Sequence, residues 1–581
     1  MLTGLGRPLP LATLLALSGC KKDPEQQPDD IPDEQAHTVL PTLRIDSPAR
    51  AAFMGEQDVL LQGSVTTGSA ELESLVISDQ DVQWGPTGMI SRAWTPHPGL
   101  NLLGARLEDI DGERAVDGRA FMWGPTHQVG ASLPSSLRLL LGPDLSELSH
   151  IVELVLSDSA LADDFVGMTL ETDYADITPT NIDWTGATVD LSPGTGALQG
   201  TFDLYNIWMD FTADIVGWVE VDGSAWMNTL TLDTEVELSI RGGQVQATAT
   251  RVDATLEGFG MEVDWVPSWA EEWLADWAAD YITESLESQV GAMLEELLPE
   301  YLDGLAMDFS FGDTVPINFS ADVAGLEVTS GGVRMEMDVA AWSDVAIDLP
   351  NGAGSIDTEE TAPAWSEASG GSFAMLIDDD LVNQLLFAFW TSGQLSRIEI
   401  GNLELAVLMG EQMDPPLGPV ETVTIDFRLP PVMQPPVQDD QNFNLGIGEL
   451  RLAFLREDGV NHDFSVNAST GTTVDITPVD GEQQLVMALD GRPAYVELEV
   501  GVVDWDPNLD PGDMAALVRL IVPPLLSRSA DFMPGVTVPA LDMSSLTDLP
   551  ALQGVSLQFQ DPQTAVTDQG WLVLKGEFTA N

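Results

Sequence analysis

The segment WAEEWLADWAADYITESLESQVGAMLEELLPEYL, Trp269–Leu302, decides the fold. Trp269, Trp273, Trp277 and Tyr281 recur four residues apart, and Ile282, Leu286, Val290, Met293, Leu294, Leu297 and Leu298 continue the stripe. That period gathers them on one side of an α-helix. Pro267 and Ser268 suit the start, and Pro299 predicts an end or a kink. From Ser268 to Leu298 the helix would run ~46 Å at 1.5 Å per residue. Glu271, Glu272, Asp276, Asp280, Glu284 and Glu287 fill the opposite face. The stripe is too wide for a two-stranded coiled-coil seam and suits packing across a sheet. A helix lying in a membrane surface carries Lys and Arg on its polar face, and this one carries neither.

The sequence on either side reads as strands. From Met168 to Val266 several runs alternate; in TLTLDTEVELSI, Leu230, Leu232, Val236, Leu238 and Ile240 share a face, with Thr, Asp, Glu and Ser opposite. That is the pattern of an antiparallel sheet with one wet and one apolar side. Strands resume from Met307 to Asp348. Before this series, Leu145, Leu148, Ile151, Val152, Val155 and Leu156 mark an amphipathic helix that Asp144 or Ser146 caps. After it, Asn351–Gly371 has loop composition. A second capped helix follows at Asp378 or Asp379, carrying Leu381, Val382, Leu385, Leu386, Phe389 and Trp390 and ending at Gly393. Strands return from Arg397 to Trp505, then an apolar stretch split at Pro523-Pro524, then closing strands. The plan of helix, strands, apolar helix and closing strands therefore occurs twice, with little identity of letters.

Ahead of both copies, Leu40–Gly124 shows short strands at the spacing of a small sandwich. Its order of features, with PGLNLLGARLEDIDGE, resembles bacterial Ig-like domains of exported proteins. Asp109, Asp111 and Gly112 lack the spacing of a calcium loop and read as a tight turn.

The chain has 581 residues and a formal charge of −73, from 94 acidic and 21 basic residues. Such a surface repels phosphates, which argues against nucleic acid as a partner. The sole cysteine, Cys20, excludes an internal disulfide and a thiolate metal site. It closes MLTGLGRPLPLATLLALSGC, where Arg7 precedes an apolar run too short to span a bilayer. Leu17-Ser18-Gly19-Cys20 resembles a bacterial lipobox, which implies lipidation of Cys20 and a membrane attachment through that lipid. Lys21, in place of an aspartate, favours the outer membrane under the same resemblance. The polar stretch from Lys21 to about Gln35 has the composition of a disordered tether. The five histidines, His37, His97, His127, His150 and His462, show no ligand spacing, and no nucleophile elbow or nucleotide loop is present. The expectation is a non-enzyme, with no catalytic residues, no metal and no cofactor.

Three stretches carry a wider resemblance: Leu145–Phe165, the passage GMEVDWVPSWAEEWLADWAADYITESLESQVGAML, and FAMLIDDDLVNQLLFAFWTSGQL with Asn383 and Gly393-Gln394-Leu395. With the ending PGVTVPALDMSSLTDLPALQG, they resemble the family of bactericidal permeability-increasing protein, lipopolysaccharide-binding protein and cholesteryl-ester transfer protein, within the tubular lipid-binding superfamily. The resemblance implies a β-rich α+β fold: two barrel-plus-long-helix domains joined by a central sheet, each with an apolar pocket for acyl chains. The expected layout is a signal peptide at 1–19, a tether at 20–39, an Ig-like β-sandwich at 40–125, a first barrel at 134–348, a linker at 349–371 and a second barrel at 372–581. The residues expected to meet phospholipid or another apolar ligand are Leu148, Ile151, Val155, Trp273, Trp277, Tyr281, Leu286, Val290, Leu381, Leu385, Phe389 and Trp390. The acidic surface argues against capture of lipopolysaccharide through its phosphates, and with Cys20 alone the barrels must hold by packing. Each buried CH₂ is worth ~0.8 kcal/mol, so one acyl chain supplies most of an affinity without any charge. The alternative is a structural or adhesive surface lipoprotein with no ligand pocket.

Overall fold

The computed structural model describes residues 39–580 apart from 158–165, 168, 172–174, 216–219, 264–267, 308–316, 345–347, 351, 359–360, 396–397, 402–419, 436–442, 458, 460, 480–481, 490–498, 503–535, 538–540, 543–549 and 568–569. The lipobox-like Leu17–Cys20, residues 21–38 of the expected tether and the apolar stretch around Pro523-Pro524 lie outside the described residues, as do the side chain of Trp269 and residues 158–165 of the first helical reading.

Residues 42–123 make two sheets. Thr42–Ser47, Val59–Thr66 and Met89–Trp94 form one. The other is ordered Ala52–Phe53, Arg114–Trp123, Gly99–Asp109, Leu72–Ile77, Gln80–Asp81. Ile45, Val59, Leu61 and Ile90 of the first meet Leu75, Ile77, Leu103 and Phe121 of the second in one core, so the pair is a sandwich. At its edge Asp109 is buried and its Oδ1 accepts from the backbone N–H of Asp111 and Glu113, at 3.0 and 2.9 Å. That carboxylate serves its own turn, with Gly112 at φ 84°.

A seven-stranded sheet holds the rest of the chain together. Its order is Asn318–Thr329, Gly332–Trp342, Leu133–Leu141, Phe373–Ile377, Leu572–Ala580, Ser556–Val566, Leu541–Asp542. The strand opening the first copy of the plan lies antiparallel to the strand opening the second, with Leu139 opposite Met375. Each opening strand is flanked on its outer side by a closing hairpin of its own copy. Each is followed by a helix, Ser146–Leu156 or Asp379–Thr391.

The long strands form two further sheets with matching connectivity. In the first, Ala175–Asp183, Leu198–Ile215, Glu220–Arg241 and Gln244–Glu257 lie side by side; Gly186–Pro193 returns onto Leu198–Ile215, and Gly260–Val263 onto Glu220–Arg241. In the second, Val420–Phe427, Phe443–Arg456, Asn461–Val479 and Glu482–Leu489 lie side by side; Val432–Gln434 returns onto Phe443–Arg456, and Glu499–Val502 onto Asn461–Val479. The repeat read from the order of elements is thus a repeat of strand pairing. Strands of 18, 22 and 19 residues must coil, because twist accumulates along them. Among the described residues neither sheet closes on itself, so each is a half-barrel with one apolar face. On Glu220–Arg241 the inward set is Leu230, Leu232, Thr234 and Val236. Thr234 fits there because its hydroxyl donates to the Gly200 carbonyl at 3.3 Å.

Two expectations are corrected. Of the end or kink expected at Pro299, the end is overturned: the helix is Ser268–Met307, about 60 Å long at 1.5 Å per residue. Tyr301 and Leu302, beyond the proline, are buried and extend the apolar face, and that burial outweighs the one backbone bond a proline removes. The described residues of 351–371 are tied down in two places rather than loop throughout. Ser355–Ile356 pairs with Thr126–His127, and Trp365–Ala368 is a helical turn. The Arg138 guanidinium lies 3.9 Å from the Trp365 ring and donates to the Pro363 carbonyl at 2.7 Å.

The sandwich is docked on the second copy. Leu100, Ala120 and Met122 share a small core with Ile356, Leu429 and Val432. Gly448 permits the approach, since a Cβ there would stand 2.7 Å from Ala120 Cβ and from Leu100 Cδ1. Beside it Glu449, fully buried and at φ 50° in a bulge of its strand, reaches into the sandwich.

Candidate functional site

The long helix lies along Gln244–Glu257, the edge strand of the first half-barrel. An edge strand presents unpaired N–H groups, which must be covered or satisfied. Here the helix supplies acceptors. Glu287 Oε1 accepts from Ala254 N–H at 3.1 Å, Glu295 Oε1 from Ala249 N–H at 2.9 Å, and Asp303 Oδ1 from Val245 N–H at 3.2 Å. Eight residues raise a helix by about 12 Å, close to the roughly 13 Å that four strand residues span, so the three acids keep step with the strand while winding about 80° around the helix from one to the next. The strand is bulged between the partners of Glu235 and Val236, and the bulge moves the outward positions from 245 and 249 to 254. Glu287 therefore belongs to the seam, where the sequence reading placed it on a solvated face.

The seam has an apolar side as well. Ile282, Leu286, Val290, Leu294 and Leu297 are at most 1% exposed. Trp277 is buried, with its ring stacked on Tyr281 at 5.3 Å and edge-on to Phe211 at 5.6 Å. Trp273 and Tyr281 are half-buried. Gly291 brings the helix to the sheet, its Cβ position 3.5 Å from Ala249 Cβ. Burial raises the pKa of the Tyr281 phenol and, more strongly, that of the Tyr301 phenol.

The other expected contact residues fall in two further places. Leu148, Ile151 and Val155 are buried under the helix Ser146–Leu156, which packs on Gly186–Pro193. The Ser149 hydroxyl accepts from Leu191 N–H at 3.0 Å, and the Trp184 indole donates to the Leu156 carbonyl at 2.7 Å. Leu381, Phe389 and Trp390 are buried and Leu385 is half-buried. Their helix packs on Gly332–Trp342, Ser355–Ile356 and Val432–Gln434. Trp390 donates to the Phe427 carbonyl at 2.7 Å and stands 6.2 Å from Phe53 of the sandwich. The structure thus groups Trp273, Trp277, Tyr281, Leu286 and Val290 at the seam, and sets the remaining residues apart from it. An open cleft of about 270 Å³ between Pro143–Glu153 and Val189–Ser192 is lined by Asp144, His150, Glu153 and Asp190, a polar set unsuited to an acyl chain.

Asp303 gives the seam a pH dependence. Burial raises its carboxyl pKa, partly offset by the bond from Val245 N–H. The native state then holds a proton that the unfolded chain releases, and stability falls as pH rises from about 3.8 through the raised native value. Asp303→Asn keeps an oxygen for Val245 and removes the charge. Its melting temperature is expected to exceed that of the unaltered protein at pH 7, with the gain vanishing below pH ~3.8. Thermal melts across that range check it.

No family model matches the chain, and no curated protein matches it in sequence. Among solved structures it is similar to lipopolysaccharide binding protein, at 10% identity and a TM-score of 0.40, covering 77% of this chain and 99% of that one. It is also similar to P47 of Clostridium botulinum E1, at 8% identity and a TM-score of 0.23, covering 77% of this chain and 100% of that one. At these values the functional reading rests on the geometry of the seam.

Proposed function

We propose that this chain is a lipid-anchored protein of the bacterial cell envelope that takes up phospholipid or another apolar ligand beneath its long helix and carries it. The observation behind this reading is the seam. The apolar face of the first half-barrel is covered by a helix whose edge contacts include three side chain to backbone bonds and, among the described residues, no strand ladder to break. Each such bond contributes about 0.5–1.5 kcal/mol net, up to about 3 kcal/mol where the acceptor is charged, so the helix can lift without unpairing the sheet. An acyl chain sliding in replaces apolar contacts like for like. The doubled topology supplies a second apolar face in the other half-barrel. The sandwich is read as an Ig-like module, and Cys20 as the lipid-bearing residue at the outer membrane. The charge of −73 suits an uncharged pocket and repels phosphate-rich ligands.

The decisive experiment uses the chain without residues 1–20. Solvent extraction and mass spectrometry are expected to find a co-purifying apolar molecule. A brominated fatty acid is expected to quench tryptophan fluorescence saturably, with that quenching reduced in Trp277→Phe. Absence of both ligand and saturable quenching would overturn the proposal. It would leave the structural or adhesive reading, which one observation favours: the expected contact side chains of both halves, Leu385 apart, lie in or against one continuous buried cluster.

A further inference from the structure

Three segments far apart in sequence converge where the sandwich, the 351–371 crossing and the second copy meet. His127 follows the sandwich, in the short strand Thr126–His127. Asp357 follows the strand Ser355–Ile356 that pairs with it. Asp380 lies in the first turn of the helix Asp379–Thr391. One nitrogen of His127 and one oxygen from each aspartate all fall within 4.8 Å of one another. His127 Nε2 stands 3.4 Å from Asp380 Oδ2 and 3.7 Å from Asp357 Oδ2.

Those separations are the argument. A charge-assisted N–H···O bond closes to about 2.7–2.9 Å; the hydrogen bond between His127 and Asp380, at 3.4 Å, is long, and Asp357 at 3.7 Å is beyond hydrogen-bond reach of that nitrogen. Imidazole and carboxylate ligands bind zinc at about 2.0–2.2 Å, and two ligands at tetrahedral corners then lie about 3.4 Å apart. The two separations from His127 therefore match or slightly exceed an edge of a zinc tetrahedron, the two carboxylate oxygens lie within 4.8 Å of each other, and each side chain is partly open to water at 22%, 28% and 12% exposure. The second oxygen of Asp380 is fixed by its surroundings, accepting from Thr358 N–H and the Thr358 hydroxyl, both at 2.9 Å. The same hydroxyl lies 3.1 Å from Asp379 Oδ1, so its single proton stands between two carboxylates. A ligating carboxylate held by outer hydrogen bonds is the usual arrangement of a metal centre. The buried Ile356 adjoins Asp357 in the crossing.

We propose that His127, Asp357 and Asp380 bind one zinc ion, with water in the fourth position, and that the ion staples the crossing between the two copies to the base of the sandwich. The imidazole selects zinc over calcium and magnesium, which prefer all-oxygen sets. The proposal is independent of the lipid reading, since the site lies away from the seam.

The full-length protein, stripped with chelator, is titrated with zinc chloride in 0.3 M sodium chloride and excess magnesium, which occupies the diffuse acidic surface. One equivalent is expected to survive desalting and to raise the melting temperature by several degrees. His127→Ala and Asp357→Asn are each expected to weaken binding at least tenfold, while His150→Ala, in the polar cleft, leaves it unchanged. Cobalt in place of zinc reports geometry directly: the intense visible bands of a tetrahedral ion are expected in the unaltered protein. They should be lost in Asp357→Asn, whose fold is checked by circular dichroism. Loss of the equivalent on desalting, its retention in both variants, or a weak octahedral cobalt spectrum would overturn the assignment.

Discussion

Glu449→Ala is expected to destabilise the docked sandwich by about 3–5 kcal/mol, the range for breaking a buried ion pair from one side. Glu449 is 0% exposed and gathers four partners. Its Oε1 accepts from Ala120 N–H at 2.9 Å, and its Oε2 takes Arg50 at 3.0 Å and the Ser465 hydroxyl. Its own N–H donates to Asn467 Oδ1 at 2.7 Å. Arg50 also donates to Asp117 at 2.9 Å, and Arg119 ties Asp117 to the Ile45 carbonyl. Burial lowers the Arg119 pKa while Asp117 pulls it back. Removing the Glu449 carboxylate leaves Ala120 N–H buried without its acceptor and Arg50 with Asp117 alone, and the small core of Leu100, Ala120 and Leu429 has little area to compensate. The result expected in calorimetry is an early transition for the sandwich, with new protease cleavage near residues 124–132. Glu449→Gln keeps one acceptor oxygen, enough for Ala120 N–H, and should lose less. A single transition at the unaltered temperature in Glu449→Ala would show that Gly448 and its neighbours hold the interface unaided.

How far the sequence revealed this arrangement follows from the range of each interaction. The stripe from Trp273 to Leu298 and the alternation in Thr229–Ile240 are local periodicities, and both appear in the structure on the faces they predict. Asp378 accepts from Asp380 N–H as a helix cap at 3.3 Å, and Gly393 takes φ 82° just past the end, again from local chemistry. The helix runs past Pro299 because Tyr301 and Leu302 find cover, which only the tertiary packing supplies. Glu287, Glu295 and Asp303 look like solvated acids until the free edge of Gln244–Glu257 is laid beside them. Glu449 lies in the strand stretch FNLGIGELRL with nothing local to mark its role, and its Arg50 partner is 399 residues away. His127 and Asp380, 253 residues apart, share no spacing that a motif could express. Trp390 of the second copy meets both its half-barrel, through the Phe427 carbonyl, and Phe53 of the sandwich, so equal topology does not assign equal roles to matching side chains.

Asn383→Leu is expected to cost about 2–6 kcal/mol, from two buried backbone groups losing their partners at about 1–3 kcal/mol each. Asn383 is 3% exposed in the middle of a helix, an expensive place for an amide unless every polar atom is used. Its Oδ1 accepts from Met433 N–H at 2.7 Å, and its Nδ2 donates to the Met433 carbonyl at 3.2 Å. The side chain thus acts as a strand would, pairing both groups of Met433 on its open side while Leu445 stands opposite it in the sheet. Leu at 383 fills similar volume, so packing is nearly conserved and the loss isolates the hydrogen bonds. Asn383→Asp tests the same point differently: an ionised carboxylate still accepts from Met433 N–H but faces the carbonyl with a second acceptor. That variant should be less stable at pH 7 than at pH 4, where the protonated acid can donate. Chemical denaturation at both values checks it. If Asn383→Leu unfolds at the same denaturant concentration as the unaltered protein, Met433 finds other partners and the helix is held in place by its apolar face alone.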